Sequence, residues 1–160
     1  MSLREDARGA VFVEHLIAMM PVLTFVMCIF QEASLFEAQL LTEHAALSAA
    51  RSASVVVPDD PARYGGEPAN RVGPRRKSAV RLAAIHALAP LVQSEQVRDV
   101  DVEVDAAGAV SARAPLTVRV ETTFACKVPL AASIVCDTGL TRRLTASASM
   151  PNEGARYAYP

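Results

Sequence analysis

The chain has 160 residues, with 16 Lys plus Arg against 17 Asp plus Glu, so its formal net charge is -1 at pH 7. That balance argues against a protein that coats nucleic acid, and the length suits one small domain. Hydrophobic residues make up 51%, too many for a disordered chain, yet aromatics are only 5% and Trp is absent. Composition therefore gives no support to a deep, ring-lined catalytic cleft.

The apolar residues concentrate near the N-terminus. Leu16 to Phe30 is a run of fifteen residues without a formal charge. As a helix it covers ~22 Å, short of the ~30 Å hydrocarbon core of a bilayer. Extending it back to Ala10 gives 21 residues. That length reaches ~31 Å, enough to cross, but it places Glu14 and His15 inside the span. An acid within a membrane segment is expensive and calls for a functional partner.

Three readings of this segment compete. A secretory signal peptide would carry small residues after its apolar core, whereas here Gly9 and Ala10 precede it and Gln31-Glu32-Ala33-Ser34 follows. A buried core helix would need more surrounding chain than so short a sequence supplies. A retained membrane helix behind a short polar leader satisfies the length and hydropathy rules best. Arg4 and Arg8 favour a cytoplasmic leader. Arg51 and the group Arg71, Arg75, Arg76, Lys77 and Arg81 lie too far beyond Phe30 to outweigh them.

Arg8-Gly9-Ala10-Val11-Phe12-Val13-Glu14 resembles the processing site of type IV pilin-like proteins. The following residues resemble the tight-adherence branch, the TadE/TadF-like pseudopilins: Val13-Glu14, then Pro21 within the apolar run, then a polar, Ala-rich continuation from Glu32 to Arg51. The match is strongest over residues 8–55. It departs at His15, where the family usually carries an aromatic or apolar residue.

The resemblance implies cleavage after Gly9 by a prepilin peptidase, which makes Ala10 the first mature residue and Glu14 the fifth. It implies inner-membrane residence with the leader cytoplasmic and the rest periplasmic. It also implies partnership with other pilin-like subunits, the pilus assembly platform and inner-membrane lipids. The chain after the cut is longer than the very short major pilins of the branch, which points to a minor role. A carboxylate on Glu14 and a new α-amino group on Ala10 would relieve each other's desolvation, and in pilin-like assemblies such a pair sets subunit register. The plainer alternative is that Glu14 snorkels to the cytoplasmic headgroups.

The divisions expected are a leader over 1–9, a transmembrane helix over 10–31, its continuation over 32–57 and a periplasmic α+β domain over 58–160. Past the span, Leu35, Phe36, Leu40, Ala46, Leu47 and Ala50 recur at helical spacing among Glu32, Glu37, Glu43 and Arg51. One long helix from about Ala10 to Ser54 is predicted, which Pro21 could kink and which ends at Val55-Val56-Val57-Pro58. Prolines and glycines from Pro58 to Pro74 mark a loop. A second helix is predicted from about Arg75 to Gln93, with Val80, Ala83, Ala84, Ala87, Leu88 and Leu91 on one side and Pro90 breaking or kinking it. Its opening Arg75, Arg76 and Lys77 oppose the helix dipole. They read as a solvated face or, more sharply, as a contact for anionic headgroups or an acidic partner.

The period then changes to two. Val100, Val102 and Val104 alternate with acids, and Ala106-Ala107-Gly108 supplies a turn. Leu116, Val118, Val120, Thr122 and Phe124 form a second alternating run, and Leu144, Ala146, Ala148 and Met150 a third. Together they predict an antiparallel meander packed on one of the helices, an α+β fold. The tail Pro151–Pro160 reads as loose, with Tyr157 and Tyr159 able to dock.

Cys126 and Cys136 flank the loop between the last two strands, where a disulfide is permitted outside the cytoplasm; two reduced buried thiols are the alternative. Cys28 lies in the apolar run. No C-x-x-C, H-E-x-x-H, G-x-S-x-G or phosphate-loop motif occurs, so no metal site, cofactor or enzymatic activity is expected. His86 reads as a residue at the edge of the core. A membrane-anchored periplasmic accessory or binding protein that never polymerises remains the alternative to the pilin-like subunit.

Overall fold

The first helix, α1, runs from Ala7–Val56 and continues through Pro21. The computed structural model describes residues 7–106 and 109–154, with side chains from Val11 onward. Residues 1–6 of the expected leader, the turn at Ala107-Gly108, and Tyr157 and Tyr159 lie outside the described residues. After α1 come a 3-10 turn (Pro61–Tyr64), α2 (Pro74–Ala87), α3 (Ala89–Gln93), β1 (Val97–Asp105), β2 (Pro115–Ala125), α4 (Ala132–Val135) and β3 (Thr141–Pro151). The architecture is α+β, with a three-stranded antiparallel sheet in the order β1-β2-β3.

α1 ends where the Val57 amide donates its last helical bond, 3.0 Å to the Ala53 carbonyl, and Pro58 can donate none. The expected single helix over 75–93 is two helices. Leu88, with φ -90 and ψ 4, closes α2 and opens α3, because Pro90 lacks the amide that a continuous helix would use there. Of the side predicted for it, Val80, Ala84, Leu88 and Leu91 are buried, while Ala83 and Ala87 are half-buried.

The register aligns Val102, Val120 and Ala146 across the sheet, and next to them Thr122 with Leu144 and Val118 with Ala148. One face therefore collects Val100, Val102, Leu116, Val118, Val120, Phe124 and Leu144, all buried. The other face presents Asp101, Glu103, Arg119 and Arg143 to water, and Arg143 pairs with Glu121 at 2.7 Å. β2 and β3 pack on α1, and α2 covers β1.

The second half of α1, which packs on the sheet and on α2, is lined by small side chains: Ala38, Ala45, Ala46, Ala49, Ala50 and Ala53 are fully buried. Their size lets helix and strands approach closely. Thr42 sits among them, and its hydroxyl donates to the Ala38 carbonyl at 2.8 Å. A hydroxyl has one proton, so the 3.2 Å contact between Thr42 and Thr122 is a bond donated by Thr122. Two side chains from the expected buried stripe behave differently. Phe36 and Leu40 are exposed, because the sheet lies against the alanine side of the helix.

Candidate functional site

Among the described residues, α1 is the helix long and apolar enough to cross a membrane, and 0% of its most apolar 18-residue window is buried. Ile17 and Phe25 are each 68% exposed, and Val11, Phe12, Leu23 and Phe30 are exposed with them. Among the described residues none of this half is buried, and only Thr24, Met27 and Cys28 are half-buried. Exposed leucines are ordinary on a soluble protein, but an uninterrupted bare sleeve of large apolar side chains is not.

Polar groups within the sleeve are few. Thr24 is its single hydroxyl, and it is satisfied internally by the Met20 carbonyl at 2.9 Å. Pro21 removes the amide that would have bonded the Ile17 carbonyl. Glu14 is exposed on the helix and has no ion-pair partner among the described residues. Gly9 and Ala10 belong to α1, with position 10 one helical turn before Glu14. Their side chains, like those of Ala7 and Arg8, lie outside the described residues. His15 is exposed next to Glu14.

The sleeve stops at Gln31, which is 0% exposed. Its Oε1 accepts a bond from the Val128 amide at 3.1 Å, so the first polar residue after the apolar run ties α1 to the loop between β2 and β3. Its Nε2 has no partner. That loop is closed by a disulfide between Cys126 and Cys136, and Cys28 carries the remaining, free thiol. Sequence reasoning missed Gln31. Its one signal is its place as the residue that ends the apolar run.

The basic cluster at the start of α2 divides. Arg75 and Lys77 are exposed, but Arg76 is 0% exposed and is no surface contact for headgroups. Its Nη1 donates to the Val56 carbonyl, and its Nη2 donates to the carbonyls of Asp59 at 3.0 Å and Glu67 at 3.1 Å. The guanidinium lies 4.4 Å from the centre of the Tyr64 ring. Its charge is thus spent on the end of α1 and on the loop that follows, where three backbone carbonyls and a π-face replace water. Glu67 answers the dipole problem that the three basic residues pose. Its carboxylate accepts from the amides of Arg75 at 2.7 Å and Arg76 at 3.2 Å, capping α2. A Cβ at Gly73 would collide with that carboxylate.

Tyr64 donates to Asp59 at 3.3 Å. Burial raises its pKa above the ordinary 10.0, and the Asp59 charge adds to the rise.

An open recess of ≈ 710 Å³ is lined by Lys77, Glu103, Asp105, Thr117, Arg119 and Ser147, together with Val104, Thr145 and Ala146. Lys77 and Arg119 stand in its lining with Glu103 and Asp105, and none of the four forms an ion pair among the described residues. No group of three His, Cys, Asp or Glu able to hold a metal occurs among the described residues. His86 is exposed, not at the core edge, because α2 turns Ala84 and Leu88 inward instead. No family model, curated protein or solved structure matches the chain.

Proposed function

We propose that this chain is a minor pilin-like subunit of the tight-adherence type, processed after Gly9 and built into a pilus or a related secretion machine. The observation that carries the reading is α1. One unbroken helix leaves its apolar first half bare and gives its alanine-lined second half to a small antiparallel sheet. A subunit of this kind needs both halves, one for lipid or neighbouring helices and one to hold the domain that is presented outside.

In this reading Glu14 is the register residue. Cleavage would free an α-amino group at Ala10, and a neighbouring Glu14 carboxylate at the same depth would offset its desolvation. The leader is cytoplasmic and the domain periplasmic, a compartment in which the Cys126–Cys136 disulfide persists. The reading assigns the chain no catalytic step.

The mass of the mature N-terminus, in cells with and without their prepilin peptidase, tests it. A chain that begins at Ala10 only when the peptidase is present is the expected result. An intact leader in both strains would sink the proposal in favour of a permanently anchored periplasmic accessory protein. A new end near Ala33 would make the apolar run a signal peptide. Glu14→Ala is expected to abolish co-assembly with other subunits while leaving membrane insertion intact.

A further inference from the structure

Beyond the sleeve, Phe36, Leu40 and Val55 on α1, Leu82 on α2 and Val92 on α3 are exposed, and a further group gathers in one short segment. Leu130 is 57% exposed, Ile134 64% and Leu140 49%, and all three belong to the segment between β2 and β3. The Cys126–Cys136 disulfide closes most of that segment into a loop, and the Cys126 amide donates to the Leu140 carbonyl at 2.8 Å. The buried side of the loop, Ala131 and Ala132, accompanies the packing of α4 on α1 and leaves Leu130 and Ile134 turned away.

Position singles this loop out. The bond from the Val128 amide to Gln31 fixes it at the level where α1 ceases to be bare. The sheet runs away from that level: Thr122 meets Thr42, and Gln39 meets the Thr145 carbonyl, further along α1. The loop is therefore the face of the domain that borders the apolar sleeve.

Backbone conformation adds an independent observation. Leu130 has φ 63 and Leu140 φ 56, the left-handed region that leucine adopts at a cost and glycine or asparagine adopts freely. Exposed Glu95 and Arg113 take the same conformation in turns, so what sets these two positions apart is the apolar side chain each carries.

We propose that the 126–140 loop is a second membrane contact, with Leu130, Ile134 and Leu140 dipping into the boundary between headgroups and acyl chains of the bilayer that α1 crosses. Such side chains enter about 5–10 Å in interfacial segments. Lys127 and Arg142 flank the loop, exposed and without a carboxylate partner among the described residues. Their heads donate only to carbonyls, of Ser94 at 2.9 Å and Val135 at 3.1 Å, and retain donors for lipid phosphate. Asp137 is the acid of the loop, and Glu32 follows Gln31 on α1, so apolar insertion rather than net charge drives the contact. The disulfide and the Gln31 bond hold the insertion surface rigidly to the helix, which fixes the tilt of the domain on the membrane.

The inference rests on α1 crossing the bilayer, and one experiment separates the two claims. The chain has no Trp, so single tryptophans report without background. The full chain is reconstituted at low density into phosphatidylcholine nanodiscs whose lipids are brominated either near the headgroup or near the chain end. Ile134→Trp reports on the loop, Phe25→Trp on the sleeve, and Val55→Trp on the far end of α1, about 37 Å beyond Phe30 at ~1.5 Å per residue. All three positions are exposed, so the fold tolerates the change, and retention of the disulfide is verified by the absence of two extra reactive thiols.

The expected result is a blue-shifted Ile134→Trp emission that loses more intensity to bromines near the headgroup than to those at the chain end. Phe25→Trp is quenched as well, and Val55→Trp is not. Quenching of Phe25→Trp alone overturns the loop contact and leaves the span standing. An unquenched Phe25→Trp removes the span and the loop contact with it. A blue shift of Ile134→Trp that needs high protein density and resists bromine quenching identifies a protein neighbour, and also overturns the proposal.

Discussion

The two halves of α1 invert the usual relation between size and burial. From Val11 to Phe30 the large side chains, Met27 apart, are exposed among the described residues. From Gln31 to Val56 the covered side chains are mostly alanines, and the large Phe36 and Leu40 are again outside. A water-soluble helix buries its bulk and exposes its small or charged residues. Here bulk is kept for an environment other than the protein's own core, and smallness is kept for the sheet. The difference teaches that hydropathy marks the half of α1 apolar enough to cross a membrane, whereas side-chain volume marks where it meets its own domain.

Substitutions that act on one half and spare the other test this division. The largest effect is expected for Phe124→Ala, which empties the sheet-facing core and costs about 3–5 kcal/mol. Thermal melting of the reconstituted protein would show it, with the membrane-integrated fraction unchanged. Phe25→Arg should do the reverse. A cation at the centre of a span costs about 3 kcal/mol on the insertion scale and less toward its end, so alkali-resistant integration falls while the melting of the integrated remainder stays put. Equal damage to both readouts by either variant would mean that the halves are not independent.

The next contrast uses one chemical change at two places. Ala46→Leu forces extra volume between α1 and the sheet and should cost about 1–3 kcal/mol. Ala33→Leu, on the exposed side, should fall within about 0.5 kcal/mol of wild type. Denaturant midpoints of the two variants would collapse the distinction if they agreed.

Much of this arrangement was legible in the sequence, because it follows from period and length. The apolar run, the change from helical spacing to alternation at Val100, and the three alternating runs each follow from residues that neighbour one another along the chain. What was illegible depends on partners distant in sequence. Phe36 and Leu40 share a helical spacing with Leu35, which is buried, yet they fall outside the side that Leu35 and the alanines turn to the rest of the domain. Arg76 looked like a solvated charge beside Arg75 and Lys77. Its burial depends on carbonyls of Val56, Asp59 and Glu67, and backbone carbonyls leave no mark in side-chain spacing. Gln31 was passed over for the same reason, since its partner is the Val128 amide.

The smallest expected effect lies in the Arg76 pocket and depends on pH. The pKa of Tyr64 is raised in the folded protein, so above the ordinary value of 10.0 the unfolded chain gives up its proton first. The stabilisation is complete below that value and is lost as pH rises through the folded pKa. Tyr64→Phe should make the alkaline decline in melting temperature shallower, and it should leave integration untouched. A steeper alkaline decline in the variant would reverse the sign argued here.

The most direct test of the division within α1 uses its own thiol. Cys28 is free and partly open on the bare half of the helix, while the other two cysteines are bonded to each other. Intact membranes are treated on the face that carries the domain with a membrane-impermeant maleimide, alongside a Val55→Cys variant that marks the domain half. Labelling at position 55, with Cys28 protected until detergent is added, is the predicted result. Labelling of Cys28 in the intact bilayer as readily as position 55 would contradict a helix divided between lipid and protein.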